Sequence, residues 1–155
     1  MVKASDDDSV RDQFWLLPLR SLNAVEWELL CDHCGRCCLK KLQDDETEEI
    51  VWTRIVCRFH DASSARCNCY GTRSEQVPEC LEVHSMTDDQ LHWMPDTCAY
   101  RLRMENKPLF PWHPLLAGSS DAMTEAQISI KGKTLSEDHV HEDGYDEHII
   151  RWVES

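Results

Sequence analysis

The stretch Cys31-Asp32-His33-Cys34-Gly35-Arg36-Cys37-Cys38 places four cysteines within eight residues. Five more follow at wider spacings: Cys57, Cys67, Cys69, Cys80 and Cys98. The N-terminus, Met1–Asp12, has no apolar stretch of the kind that directs export, so the sequence predicts a cytoplasmic protein with reduced thiols. Thiols this dense in a reducing compartment favour metal ligation over disulfide bonds, and nine cysteines cannot all be paired.

The pair Cys31 and Cys34 has the two-residue gap that lets both sulfur atoms reach one metal ion. Gly35 is suited to a positive φ in the turn that follows, and backbone amides in such a turn donate hydrogen bonds to sulfur. Cys37 extends the run to C-x2-C-x2-C, an opening that iron–sulfur ferredoxins share, but Cys38 follows it directly, which the ferredoxin pattern does not have.

Neighbouring side chains usually diverge, so the adjacent cysteines Cys37 and Cys38 seldom ligate one mononuclear centre. They more naturally serve two centres, or one ion and a bridging sulfur. With the downstream cysteines there are enough thiolates for two sites of four sulfur atoms each, or for one polynuclear cluster. Ligand count does not distinguish these arrangements. Two complete four-sulfur sites would leave one of the nine thiols spare. Spacing does not identify it, because Cys69 would share a face with Cys67 on a strand.

The overall charge limits the classes of partner. The formal net charge is −13, and no basic patch is present, which disfavours nucleic acid and anionic membrane surfaces. No window of about 20 apolar residues predicts a membrane-spanning helix. Hydrophobic residues make up 41% of the chain in short, interrupted segments, so we expect a metal to supply part of the stability of the fold.

The pattern of residues predicts a small, loop-rich α+β domain over residues 14–155, stapled by the cysteine-ligated centre. A disordered acidic arm at residues 1–13 precedes it, and residues 132–155 form a polar C-terminal tail. Asn23 and Glu26 predict a capping box for a helix over Ala24–Leu30, and β-branched residues predict a strand over Ile50–Cys57. Further predictions are a hairpin return through Cys67 to Tyr70, helices over Thr87–His92, Thr97–Asn106 and from Trp112, and a strand over Ile128–Lys131.

The cysteine block and its surroundings resemble the YcgN-like bacterial proteins, a branch of the YkgJ-type family with the CxxCxxCC signature. The matching stretches are Glu26–Cys31, the CDHCGRCC block, Val56-Cys57-Arg58, Cys67 with Tyr70 and Arg73, Pro78-Glu79-Cys80, Met94–Leu102 and Trp112–Leu116. This resemblance implies a zinc- or iron-chelating domain and supplies no reaction. Residue by residue, it implies metal ligands at Cys31, Cys34, Cys37, Cys38, Cys57, Cys67, Cys80 and Cys98. It makes Cys69 the first candidate for the spare thiol.

Two functions remain open at this level. One is a redox or metal-handling role for an iron, iron–sulfur or labile metal centre, and the other is a zinc-stapled module that binds a protein partner without redox activity. The sequence contains no recognisable catalytic constellation, and an enzymatic role would require His113 or an open metal position as the reactive point. His113 is a candidate metal ligand or proton donor, although a lone histidine more often packs or caps. His139, His141 and His148 form either a weak metal patch or part of a solvated tail.

Overall fold

The computed structural model describes residues 9–61, 63–64, 66–77 and 83–154, and in them short helices alternate with short strands and long loops. The helices are α1 (Ala24–Leu30), α2 (Arg73–Gln76), α3 (Asp88–Leu91), α4 (Ala99–Met104), α5 (Pro114–Ala117) and α6 (Asp121–Glu125). The strands are β1 (Leu39–Gln43), β2 (Ile50–Val56), β3 (His60–Asp61), β4 (Arg66–Cys67), β5 (Leu135–Ser136) and β6 (Ile149–Ile150). The prediction of a small, loop-rich α+β domain is confirmed.

The strand β2 is the centre of the larger sheet. β1 pairs antiparallel along one edge of it, with Lys41 opposite Trp52. The other edge is shared, since β6 pairs antiparallel near the start of β2 and β5 pairs parallel near its end. β3 and β4 form a separate two-stranded sheet in which His60 lies opposite Cys67, so the predicted hairpin return is found as far as Cys67.

The helix α1 begins and ends where the sequence predicts. The Asn23 side chain accepts a hydrogen bond from the Glu26 amide, and the Glu26 carboxylate accepts one from the Asn23 amide, which completes the capping box. The same reciprocal pair forms between Thr87 and Gln90 at the start of α3. Both helices are therefore placed by local chemistry that satisfies the first free amides of a helix.

The carboxylate of Glu26 also binds the last part of the predicted arm. Arg11 donates to it through its backbone amide at 3.0 Å and through its guanidinium Nε at 2.9 Å, and a second guanidinium nitrogen forms an ion pair with it. The Glu26 side chain is fully buried in this contact. Together these bonds lower the pKa of Glu26 to about 2, chiefly through the side-chain bonds from Arg11.

Two element predictions differ from the structure. The predicted strand over Ile128–Lys131 is wrong, since Ile130 is completely buried and its amide donates to the carbonyl of Cys34 rather than to a neighbouring strand. The predicted helix from Thr97 begins instead at Ala99, with Cys98 as the N-cap residue in extended conformation. The Cys34 carbonyl thus takes the place of a strand partner for Ile130, and Cys98 takes an extended conformation inside the predicted helix.

The hydrophobic core consists of two clusters, and cysteines pack against each of them. The first, formed by the helices and the N-terminal turns, contains Phe14, Leu19, Trp27, Leu30, Met86, Leu91, Met94, Ala99, Tyr100, Leu102 and Leu109. The second, formed by the sheet, contains Leu39, Trp52, Val56, Ile130 and Val153. Cys31 and Cys98 pack against the first cluster and Cys38 against the second, so cysteines contact both clusters. Within the described residues, no helix has the length and apolar character needed to span a membrane.

Candidate metal centre

The cysteines of the described residues all line one cavity, which has a volume of about 460 Å³. Each is a free thiol, and they come from four separate parts of the chain: Cys31, Cys34, Cys37 and Cys38, then Cys57, then Cys67 and Cys69, then Cys98. Of the predicted ligands, Cys80 lies outside the described residues. The structure thus brings together residues up to 67 positions apart in the chain, from Cys31 to Cys98.

The loop from Cys31 to Cys38 is held by hydrogen bonds to its own sulfur atoms. The His33 amide lies 3.4 Å from Cys31 Sγ, and the Arg36 amide lies 3.5 Å from Cys34 Sγ. These are the amide-to-sulfur contacts that the turn predicts, and they stabilise a thiolate more than a thiol. Asp32 reinforces the loop, since its Oδ1 accepts from the Cys34 amide at 3.0 Å.

Gly35 adopts the positive φ that the turn requires, with a value of 81°. A Cβ atom at this position would lie 2.8 Å from the Ile130 side chain and 3.3 Å from Cε1 of His60. The absence of a side chain is therefore needed for two reasons, the backbone conformation and the close approach of Ile130.

The downstream cysteines are positioned by the ends of regular elements. Cys57 follows β2, and its amide donates to the carbonyl of Cys38 at 3.2 Å, which joins it to the loop. Cys67 ends β4, and its Sγ lies 3.7 Å from Sγ of Cys69. Cys69, the candidate spare thiol, therefore faces the same cavity as the predicted ligands.

The chemistry of these donors fits zinc or iron, because thiolate is the preferred ligand of both tetrahedral zinc and iron–sulfur centres. In the described part of the chain, however, no three His, Cys, Asp or Glu side chains already surround one point in ligand geometry. The cysteines of the described residues nevertheless all contribute to the wall of one cavity, so their thiols are available to a metal bound there.

Crowding and burial keep most of these thiols protonated. Burial raises the pKa of Cys31 and Cys34 well above the usual thiol range, and it raises that of Cys57 as well. The hydrogen bond with Cys38 raises the pKa of Cys37, with burial of its cavity-facing sulfur adding to the effect. Several thiolates in one cavity without a cation are thus unfavourable, and a bound metal ion would supply the compensating charge.

The thiol of Cys98, the N-cap residue of α4, is subject to two opposing influences on its pKa. Its place at a helix N-terminus predicts a lowered pKa, but burial raises the pKa to about 12. Backbone hydrogen bonds from Arg101 and Tyr100 act in the lowering direction and are outweighed. The desolvation of the thiolate therefore outweighs its stabilisation by the N-terminus of the short helix α4.

Three polar side chains that line the cavity have buried atoms without a hydrogen-bond partner in the described part of the chain. They are Oδ2 of Asp32, Nζ of Lys41 and both ring nitrogens of His60. Lys41 Nζ does lie 5.6 Å from the ring centroid of Trp52, a cation–π contact. Burial lowers the pKa of His60, which favours its neutral form. The sequence pattern does not single out His60, because the segment that begins with it, residues 60–66, has the composition of a polar turn.

The histidines that the sequence singles out do not face the cavity. His113 is buried, with its Nδ1 accepting from the Leu115 amide at 3.0 Å and its Nε2 lying 2.8 Å from the carbonyl of Leu30. In the tail, His141 accepts from the Asp143 amide and His148 from Arg54, while His139 is exposed. The structure therefore gives His113 a capping role, and it places none of these residues at the candidate centre.

Comparison with known proteins finds the CxxCxxCC family model, described as "Putative zinc- or iron-chelating domain", matched by residues 30–99. A "UPF0260 protein" of Rhodobacter capsulatus is 45% identical over 92% of this chain and 96% of its own length. Proteins of the same designation from Marinobacter nauticus and Pseudomonas putida are 44% and 43% identical, over 87% and 85% of this chain and 91% and 88% of theirs. No solved structure matches.

Proposed function

We propose that this chain, which belongs to the UPF0260 family of CxxCxxCC proteins, chelates zinc or iron in the cavity that its cysteines line. The observation that carries the proposal is that free thiols from four separate segments face one cavity. Unrelated cysteines distribute through a fold as small buried side chains, whereas ligands converge. Chelation of either metal is the chemistry that these donors perform best.

The shape of the cavity supports a centre of more than one metal atom. A volume of about 460 Å³ is many times the space of a single ion with its ligands already in contact, and all the cysteines of the described residues line the cavity. Two ions or one iron–sulfur cluster would use that space, as the adjacent Cys37 and Cys38 also suggest. The proposed ligands are Cys31, Cys34, Cys37, Cys38, Cys57, Cys67, Cys80 and Cys98, with Cys69 added because it lines the same wall.

The position of the cavity supports a structural contribution from the metal. Cys31 and Cys98 contact the helical cluster, and Cys38 contacts the sheet cluster, so a shared ion would join the two. With zinc, the centre would serve only to stabilise the fold, and the protein would act by binding a protein partner. With iron the same centre would also take part in redox or metal handling. Free thiols in this number favour a reducing compartment, which is the cytoplasm.

Elemental analysis with an absorption spectrum, on protein purified without oxygen, tests the proposal. Iron with acid-labile sulfide and visible colour would support redox or metal handling. About two zinc ions per chain, the number expected for four sulfur ligands each, with no colour, would support the stapled module. Protein that holds no stoichiometric metal and whose thiols titrate freely would contradict the proposal in both forms.

Variants at the cavity wall sharpen this test. Cys34→Ser and Cys98→Ser each replace one proposed ligand by a weaker one. The two cysteines lie in different segments of the chain. His33→Ala, in the same loop but with an exposed side chain, is the matched control. We expect reduced metal content in the two serine variants and unchanged content in the control.

A further inference from the structure

His60 faces the cysteine cavity with an imidazole that the fold leaves unsatisfied. It lies in β3, is 9% exposed, and contributes to the cavity wall. We propose that His60 supplies a nitrogen ligand to the metal centre, beside the thiolates. This inference rests on the proposed function, since it concerns the same cavity.

The hydrogen bonding of His60 is the first observation. Both of its ring nitrogens are buried, and neither has a hydrogen-bond partner among the described residues. Buried polar groups in folded proteins almost always have a partner, and an exception calls for a ligand, ion or water at the site. A metal ion bound through one nitrogen would satisfy that atom directly, and imidazole is a common ligand of zinc and iron.

The backbone around His60 is the second observation. Its amide donates to the carbonyl of Cys57 at 2.9 Å, and in the β3–β4 pair it lies opposite Cys67. Directly opposed residues of an antiparallel pair project from the same face of the sheet. The ring also lies beside Gly35, so backbone geometry holds it among three of the cysteine-bearing segments.

The second buried histidine provides an internal comparison. Both ring nitrogens of His113 are used, one by the Leu115 amide and one by the Leu30 carbonyl, and its ring is not part of the cavity wall. The fold therefore satisfies a buried imidazole where the role is structural. At His60 no residue of the described ranges supplies a partner, and the residue lines the sulfur-rich cavity.

The metal-bound protein gives a direct test by nuclear magnetic resonance. Full-length protein labelled with nitrogen-15 histidine is loaded with cadmium-113 without oxygen, and the cadmium signals are examined for one-bond coupling to nitrogen. We expect one coupling in the wild type and in His33→Ala, and its loss in His60→Leu. Bound cadmium without nitrogen coupling, or with a coupling that persists in His60→Leu, would overturn the assignment.

The variants separate this proposal from the proposed function. If the wild type binds no cadmium, chelation itself fails; if it binds cadmium through sulfur alone, only the role of His60 fails. We expect His60→Leu to bind cadmium more than about tenfold more weakly. Without metal it should melt no lower than the wild type, because an unsatisfied buried imidazole has been removed. His60→Cys, which offers a thiolate at the same place, should recover part of the affinity, and equal affinity in all three proteins would contradict a ligand role.

Discussion

The Nε2 atom of His113 lies 2.8 Å from the carbonyl oxygen of Leu30, the last residue of α1. Its Nδ1 accepts from the amide of Leu115, so the same ring caps the start of α5. One buried imidazole therefore joins α5 to the end of α1, immediately before Cys31. The neutral tautomer with the proton on Nε2 satisfies both contacts.

Replacement of His113 by leucine should destabilise the fold without removing a metal ligand. It leaves the Leu30 carbonyl and the Leu115 amide without their partner, which should lower the free energy of unfolding by roughly 1–3 kcal/mol. Urea unfolding of the metal-loaded protein measures the change, with the exposed His33→Ala as control. Loss of metal at native conditions with unchanged stability would instead assign His113 to the centre.

Replacement of Gly35 by alanine should cost more than replacement of Gly118, although both have positive φ, 81° and 87°. An alanine at either position should lower the free energy of unfolding by about 1–2 kcal/mol because of the left-handed conformation. At Gly35 the new Cβ also meets Ile130 at 2.8 Å, whereas at Gly118 nothing lies within 4 Å. We expect a further loss of about 1–3 kcal/mol at Gly35 from this overpacking.

The comparison of the two alanine variants by thermal or urea unfolding isolates the contact with Ile130. Equal losses would mean that the Ile130 side chain moves aside without cost. A Gly35→Ala, Ile130→Val double variant should recover part of the difference, because it removes a methyl group from the crowded side.

The parts of this fold that local chemistry determines could be predicted from the sequence. The capping boxes at Asn23 and Thr87 each involve residues three apart, and the β-branched run from Ile50 defines β2 by its own composition. The strands β5 and β6 could not be predicted, because each has two residues and exists only through pairing with β2. The strand predicted over Ile128–Lys131 was wrong because Ile130 is buried in a loop, and the local sequence alone does not distinguish such a loop from a short strand.

At the candidate site, too, local spacing could be interpreted from the sequence, whereas contacts between distant segments could not. The spacing of Cys31, Cys34, Cys37 and Cys38 indicates ligands by itself, and the structure adds that Cys57, Cys67 and Cys98 reach the same cavity. His60 could not be identified as a candidate ligand from the sequence. Its place among the cysteines depends on the pairing of β3 with β4 and on its approach to Gly35. The expected low pKa of Cys98 was wrong because burial, which the sequence does not reveal, outweighs a short helix.

Acid should weaken the contact between Arg11 and Glu26 only at low pH. Because the pKa of Glu26 falls from 4.5 to about 2 on folding, its ionised form stabilises the native state fully above about pH 4.5. This contribution decreases as the pH falls through about 2. Glu26→Gln lacks the titrating group, so the stability difference between wild type and variant should shrink over this interval.

The measurement is chemical unfolding of both proteins at matched pH values, so that acid loss of bound metal affects both alike. Arg11→Met should reduce the stability of the wild type at neutral pH and have little further effect in Glu26→Gln. A difference between wild type and Glu26→Gln that stays constant from neutral pH down to about 2 would show that Glu26 has an ordinary pKa in the fold.

Metal binding should release protons and strengthen as the pH rises. Burial holds the pKa of Cys98 at about 12, and Cys31 and Cys34 are also raised, so these thiols are protonated in the metal-free protein at neutral pH. Each must lose its proton to bind, so the logarithm of the apparent affinity should rise by about one per pH unit for each such ligand. Calorimetric zinc titrations in buffers of different ionisation enthalpy give the number released. Cys98→Ser should release one proton fewer, and binding without proton release would contradict thiol ligation.

Removal of the metal should separate the two hydrophobic clusters rather than unfold one loop. The ligands that contact the helical cluster, Cys31 and Cys98, and the one that contacts the sheet cluster, Cys38, would lose their common ion. At free metal a thousandfold above the dissociation constant, binding contributes about 4 kcal/mol, which for a domain of this size corresponds to a fall of roughly 10 °C in Tm on chelation. Hydrogen exchange under reductant should then show reduced protection in α1, α4 and β2 together, and restored protection when zinc is added back. Protection lost only in the Cys31–Cys38 loop, with an unchanged Tm, would mean that apolar packing alone holds the clusters together and that the centre serves another purpose.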